Sequence, residues 1–242
     1  MAVSARAGDL SARGFVDDVP DSLRYSASQL EEWEATGMIC TRIPTGARVL
    51  DVGCGTGSIS SLLIAECKAD LVGIEPDPDR AAACRERGLN VSCGYYDDET
   101  ADSLGAFDVI LFADVLEHVA DPASLLERAA RHLTPTGRVV VSVPNIAHWT
   151  VRRALLFGRF DYQPIGIMDA THLRWFTSRT ITRVMASVNL SIVDHDWSNG
   201  AWMTVYHRLP AASRARWIRR LVRQWPDLFG CQHIVTAQRS SR

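Results

Sequence analysis

No C-x-x-C pair occurs in this chain, although it carries six cysteines (Cys40, Cys54, Cys67, Cys84, Cys93 and Cys231). That spacing excludes the common zinc frameworks and gives no sign of a disulfide scaffold. Buried free thiols in a reducing cytoplasm are the expectation. Lysine is nearly missing too: Lys68 is the single one among 26 basic residues, a bias that genome composition explains. Charge of one sign is also lacking. A net charge of −2 sets up no whole-chain attraction to nucleic acid or to an acidic membrane. No apolar run approaches the roughly 18 residues of a membrane span, and Met1 to Asp9 lacks the apolar core of a signal peptide. A soluble cytoplasmic protein is therefore expected. There is no internal repeat and no low-complexity segment.

What the chain does contain is a globular composition, 47% hydrophobic over 242 residues, which suits one α/β domain with decorations. Its most informative stretch is Asp51-Val52-Gly53-Cys54-Gly55-Thr56-Gly57, directly after the apolar Ala47-Arg48-Val49-Leu50. Glycine at every second position lets a strand-to-helix loop take positive φ angles and bring bare backbone against a ligand. Free N–H groups at the start of the following helix favour a polar or anionic ligand. The order is G-x-G-x-G; the sixth glycine of a dinucleotide fingerprint is replaced by Ser58. Glu75 ends the next strand, about where an acid binds ribose hydroxyls in such folds. The alternative is an acid that merely starts the helix near Asp79.

The pattern predicts a mobile tail to about residue 22 and a helix from Ser26 or Ser28 through Cys40, with Glu31 and Glu32 in its early turns. Residues 1–45 form a tail and helical cap, and 46–242 the main domain. Strands are predicted at Leu71 to Ile74, Leu89 to Cys93, Phe107 to Phe112 and Arg138 to Val143. Helices alternate with them, carrying Ile59, Leu62, Leu63 and Cys67, then Asp79 to Arg87, then Leu126, Ala129, Ala130 and Leu133 behind Asp121-Pro122. Such alternation implies right-handed βαβ units in a parallel sheet. Regularity breaks over 146–176, an aromatic, loop-rich insertion after the fifth strand that has the character of an acceptor-side lid. Thr177 caps a further helix. Ser191 to Asp196 and Gln232 to Ala237 are the last strands, separated by a basic helix around Ala211 to Gln224 with Trp217, Leu221 and Trp225 on its apolar face.

With these motifs in place, DVGCGTG (51–57), GIEPD (73–77), FDVILFADVLEHVADP (107–122), LTPTGRVVVSVPN (133–145) and FGRFDYQPIGIMDATHLRWFT (157–177) make the chain resemble a class I S-adenosylmethionine-dependent methyltransferase. It is similar to a subgroup met in glycan and natural-product pathways. The resemblance implies a Rossmann-like, seven-stranded, mostly parallel sheet with helices on both faces and one antiparallel strand near the carboxyl end. It also implies S-adenosyl-L-methionine as cofactor. Asp51, Gly53, Cys54, Gly55 and Gly57 would surround its methionine portion, Glu75 its ribose, and Pro76 its adenine. Ala113 and Asp114 would line the site from the fourth strand. Where the family often has Gly-Asp after the third strand, this chain has Gly94-Tyr95-Tyr96-Asp97. Tyr95 or Tyr96 would then lie at the adenine, with Tyr95 stacking or Asp97 taking the contact.

A methyl acceptor that is a hydroxyl or a protonated amine calls for a base. His118, His148 and His172 are the candidates, each with a structural alternative; His132, His195, His207 and His233 lie outside the expected site. No ligand cluster has metal-site spacing, so no metal is expected. The insertion's aromatics either close over an acceptor and the sulfonium or pack on one another, and Tyr25 is placed over the cofactor. The basic helix suits a solvated face or a homodimer contact better than nucleic acid. The expected activity is methyl transfer to a small-molecule oxygen, nitrogen or carbon of a sugar or secondary metabolite. The competing readings are a nicotinamide-dependent oxidoreductase and a non-catalytic cofactor-binding module.

Overall fold

A computed structural model describes residues 31–200 and 211–240, with side chains placed for all of these except 211–215. The elements run α1 (Ala35–Cys40), β1 (Arg48–Val52), α2 (Ser58–Cys67), β2 (Asp70–Glu75), α3 (Pro78–Glu86), β3 (Val91–Cys93), α4 (Asp98–Leu104) and β4 (Phe107–Ala113). A 3₁₀ turn (Leu116–His118) follows, then α5 (Pro122–Arg131), β5 (Leu133–Pro144), α6 (Trp149–Leu156), α7 (Ser178–Ser187), β6 (Leu190–Trp197), α8 (Ala211–Gln224), α9 (Pro226–Phe229) and β7 (Gln232–Arg239).

The strands form one seven-stranded sheet in the order β3-β2-β1-β4-β5-β7-β6. β1 to β5 pair in parallel, and β7 runs antiparallel to both β5 and β6. Strand order reverses between β1 and β4, so the crevice beyond their carboxyl ends is where an open sheet of this kind takes a ligand. Side chains alternate between two buried layers. Leu50, Val52, Ile110, Phe112, Val139 and Val141 join the face covered by Leu126 of α5 and Ile181 of α7. Val49, Val109, Leu111 and Val140 join the face covered by Ile39 of α1 and Leu63 of α2. Burial on both faces explains the unbroken apolar runs of the central strands. Each such aliphatic contributes about 1.5–3 kcal/mol relative to exposure.

Several local expectations hold for local reasons. Asp121 accepts from Ser124 N at the start of α5, with Pro122 in its first turn. Thr177 and Thr180 form a reciprocal capping box on α7. Others do not hold. The first helix starts at Ala35, so Glu31 and Glu32 precede it, and the expected start near Ser26 lies outside the described residues. Leu133 belongs to β5 and not to the preceding helix. Three helices escaped the pattern: α4, whose single buried residue is Ala101, α6 inside the insertion, whose single buried residue is Val151, and the one-turn α9. On α8 the buried apolar pair is Ile218 and Val222, while Trp217, and Trp225 just past its end, are exposed. Cys93 is exposed, unlike the other thiols.

Candidate active site

β1 delivers Asp51 and Val52 to the crevice and then turns sharply. At Gly53 (φ 70°) an added Cβ would stand 2.8 Å from the Val115 side chain, so the loop presses directly on the segment after β4. At Gly57 (φ 76°) it would meet Leu89 Cδ1 at 2.2 Å and Cys84 Sγ at 2.9 Å. Only bare backbone fits either place.

The loop's donors are largely spent inside the protein. Gly53 N and Cys54 N both donate to Ile74 O, and Gly57 N donates to Cys54 O. Gly55 N donates to Glu75 Oε2 at 2.8 Å. Four of the loop's N–H groups are thus engaged inside the protein, three of them on β2, which leaves fewer than expected to face an anionic ligand. The charge lining the crevice is negative instead. Asp51 is 1% exposed; its Oδ2 accepts from Ser60 Oγ at 2.5 Å, and its Oδ1 has no hydrogen-bond partner among the described residues. Burial, reinforced by the nearby Glu75, pushes its carboxyl up to about 6. Glu75 is 2% exposed and is likewise raised, mainly by burial, with Asp77 N bonded to its Oε1 at 2.9 Å. The helix-start role belongs to Asp77, which caps Asp79 N and Arg80 N.

These residues fit S-adenosylmethionine and not a pyrophosphate. A cationic ligand satisfies the orphaned Asp51 oxygen, and each Glu75 oxygen keeps a lone pair for a hydroxyl. A second anion beside two buried carboxylates would be repelled.

The remaining predicted cofactor residues divide. Pro76 is exposed and follows Glu75 at the crevice rim. Ala113 ends β4 and Asp114 follows it directly. Asp114 takes a left-handed φ of 55°, and its carboxylate accepts from Ser142 Oγ (3.0 Å) and Gln232 Nε2 (2.8 Å). Tyr95 is 70% exposed, whereas Tyr96 is packed into the core under Arg128, so only Tyr95 is free to reach a ligand. Asp97 caps α4 by accepting from Thr100 N, which commits it to structure.

Among the histidines the structure brings His118 and His172 together, with ring centroids 4.8 Å apart. The insertion folds back to make this contact. Leu173 N and Arg174 N donate to Glu117 O (2.7 and 3.0 Å), and the Arg174 guanidinium reaches Ala120 O. His148 lies elsewhere, at the start of α6, with Nδ1 2.8 Å from Thr150 Oγ1. Burial lowers it to about 4, so it is neutral at physiological pH. Asn145, just past the end of β5, spends its amide on Asp227 O and Gly230 O and its carbonyl on Ala147 N.

Phe160, Tyr162 and Trp175 pack on one another at 5.6–6.4 Å, the arrangement of a self-packed flap. His195 and His233 pair at 3.1 Å beside Trp197. His132 meets Asp102 at 3.4 Å, at the opposite end of β5. Tyr25 and His207 lie outside the described residues.

One candidate residue was missed. Glu117 is 1% exposed, and neither carboxylate oxygen has a hydrogen-bond partner among the described residues. Burial, with Asp114 and Asp169 nearby, raises it well above the usual carboxylate range. The signal was an acid directly before His118. The expectation that no ligand cluster exists also fails: Glu117, His118 and His172 each bring a ligand-type atom within 4.8 Å of the others. Spacing along the chain could not show this, because His172 arrives from the insertion.

Comparison with known proteins agrees with this geometry. Residues 26–195 match the model of a methyltransferase domain. A ubiquinone biosynthesis O-methyltransferase of Azorhizobium caulinodans is 39% identical over 105 residues, covering 41% of each chain. The chain thus spans under half the length of that curated relative. A SAM-dependent methyltransferase from Archaeoglobus fulgidus superposes with a TM-score of 0.56 at 19% identity, over 85% of this chain and 95% of that one. The magnesium protoporphyrin IX methyltransferase of Synechocystis, solved with bound SAM, gives 0.53 at 14% identity, over 85% and 78%.

Proposed function

The chain belongs to the methyltransferase-domain family, in its class I, S-adenosylmethionine-dependent form, and from that premise we propose that it methylates a hydroxyl of a small-molecule acceptor. The observation that carries the reading is the pair of buried carboxylates, Asp51 and Glu75, set around a glycine loop in which Gly53, Cys54, Gly55 and Gly57 already spend their N–H groups. Bound S-adenosylmethionine supplies a methyl group already activated on a cationic sulfur. Asp51 holds the cationic end of the methionine portion, and Glu75 accepts from the ribose hydroxyls. The bare backbone at Gly53 and Gly57 lets the loop close on them. What the chain adds is chiefly alignment in a dry crevice, an effect worth about 7–11 kcal/mol in favourable cases.

A hydroxyl acceptor is supported by the O-methyltransferases that this chain matches over 41% of its length. The Glu117–His118–His172 group, at the carboxyl end of β4, is the part of the chain equipped to handle the acceptor's proton. His148, buried and held neutral, supports the wall. The 157–176 segment, with its aromatic trio, covers the acceptor as a lid. A phenol or sugar hydroxyl suits this setting. No helix among the described residues is long and apolar enough to cross a membrane. The free thiols suit a cytoplasmic protein, and the exposed Trp217 and Trp225 suit a homodimer contact.

Calorimetry with S-adenosylhomocysteine and with NAD, followed by methyl transfer to a panel of phenols, sugars and amines, tests the reading. Binding of the first ligand alone and O-methylated product are expected. Binding of NAD, or tight cofactor binding with no product from any acceptor, overturns it.

A further inference from the structure

We propose that Glu117, His118 and His172 bind one divalent first-row transition-metal ion beside the cofactor loop, leaving open positions for an acceptor oxygen. The inference deepens the methyl-transfer reading and rests on it.

The donor set comes first. One carboxylate and two imidazoles, their ligand atoms within 4.8 Å of one another, make an N₂O set of the kind that zinc, manganese or ferrous iron accepts. Small side-chain adjustments close that spacing to coordination distance. Three protein ligands leave the ion unsaturated, which is the arrangement of catalytic and not of closed structural sites.

The surroundings prepare both imidazoles. His172 Nδ1 faces Ile167 O at 3.1 Å, and His118 Nδ1 faces Thr171 O at 3.2 Å. A carbonyl can only accept, so Nδ1 carries the proton in each ring and Nε2 presents its lone pair. The Thr171 hydroxyl, also 3.2 Å from His118 Nδ1, gives its own proton to Asp169 Oδ1 at 2.7 Å. Asp169 is fully buried. A buried carboxylate behind a ligand histidine is the usual support of a metal site.

Glu117 supplies the independent observation. A carboxylate 1% exposed, with neither oxygen hydrogen-bonded among the described residues, lies among these rings. Such a group is costly to bury without a counter-charge, and Asp114 and Asp169 add to the negative field around it. A cation answers all three. The position is also useful: Val115, two residues before Glu117, is the side chain that Gly53 must clear, so the cluster adjoins the cofactor loop. An acceptor hydroxyl on the ion would lose its proton to water more readily. Its oxygen lone pair would then form the new C–O bond while the S–C bonding pair returns to sulfur, releasing S-adenosylhomocysteine.

The test uses the full chain, stripped with a chelator, desalted and titrated with Zn²⁺, Mn²⁺ and Co²⁺. S-Adenosylhomocysteine binding is measured in parallel. One ion per chain is expected, with Co²⁺ giving visible absorption bands of nitrogen ligation. Glu117→Gln and His172→Gln should weaken the ion at least tenfold and leave S-adenosylhomocysteine affinity within about twofold. Methyl transfer should fall on chelation and return with metal. A stripped wild-type chain that binds S-adenosylhomocysteine but takes up no ion overturns the proposal, as do folded variants that hold the ion as tightly as wild type. If either variant fails to fold, the wild-type Co²⁺ spectrum decides, and absence of bands overturns it. Failure of the wild type to bind S-adenosylhomocysteine instead removes the cofactor reading, so the two failures are distinct.

Discussion

Gly55 donates its backbone N–H to Glu75 Oε2 at 2.8 Å, tying the loop after β1 to the last residue of β2. The acid proposed to hold the ribose and the loop proposed to receive the methionine portion are thus one hydrogen-bonded unit. Glu75→Ala should weaken S-adenosylhomocysteine binding by about 100-fold or more, since hydrogen bonds to a charged group are worth about 1.5–3 kcal/mol each. Calorimetry checks this, and an unchanged affinity would remove Glu75 from the site.

Asp51 makes binding depend on pH. Its carboxyl sits at about 6 in the folded chain, against an ordinary value of 3.8, because it is buried. The folded state therefore holds more protons than the unfolded one between those values. This contribution to stability is complete below the unfolded pKa and is lost as pH rises through about 6, a change of order 2–3 kcal/mol. A cationic ligand favours the ionised form, so affinity should rise from pH 5 to pH 7 with a proton released near pH 6. Titration in buffers of different ionisation enthalpy measures that proton. Asp51→Asn should flatten the profile, and a wild-type profile already flat would sink the assignment.

Gly55 and Gly57 should fail differently. A methyl at Gly57 collides with Leu89 and Cys84, whereas at Gly55 (φ 59°) it meets nothing within 4 Å. Gly57→Ala should lower the melting temperature sharply, by a few kcal/mol of strain. Gly55→Ala should cost only about 1–2 kcal/mol for its left-handed backbone while weakening cofactor binding, because its methyl would occupy the loop's open side. Thermal melts beside calorimetry separate the two. Equal losses in both assays would contradict the packing described for the loop.

Arg219 holds α8 to the sheet. It is 9% exposed and donates to Asp196 Oδ2 (2.6 Å) and to Trp197 O (2.8 Å). Arg219→Ala should destabilise the fold by about 1–3 kcal/mol, because Asp196 loses a charged hydrogen-bond partner but is only partly buried. Denaturant unfolding measures it, and a loss below about 0.5 kcal/mol would mean that Arg42, 4.0 Å from the same carboxylate, suffices.

The legible elements are those whose cause is local. Asp121 with Pro122, and Thr177 with Thr180, specify helix starts within four residues, and the central strands show their double burial as apolar runs. α4 was hidden because it buries a single alanine, and α6 because its surroundings are rich in glycine and aromatics. At the site, Asp51, the glycines and Glu75 were visible as a loop and an acid one strand away. Tyr96 was misplaced because alternation along the chain decided which of two adjacent tyrosines points into the core.

By itself the amino-acid order determined the glycine turn, the α/β alternation and the identity of the acids around the crevice, because each follows from neighbours a few positions apart. The tertiary structure alone decided that the N–H groups of Gly53, Cys54 and Gly55 would be taken up by β2. It also decided that Glu117, His118 and His172 would share one buried place. Contacts between residues of the β4 end and a distant insertion are set by how the chain packs on the sheet, and no periodicity along the chain encodes that meeting.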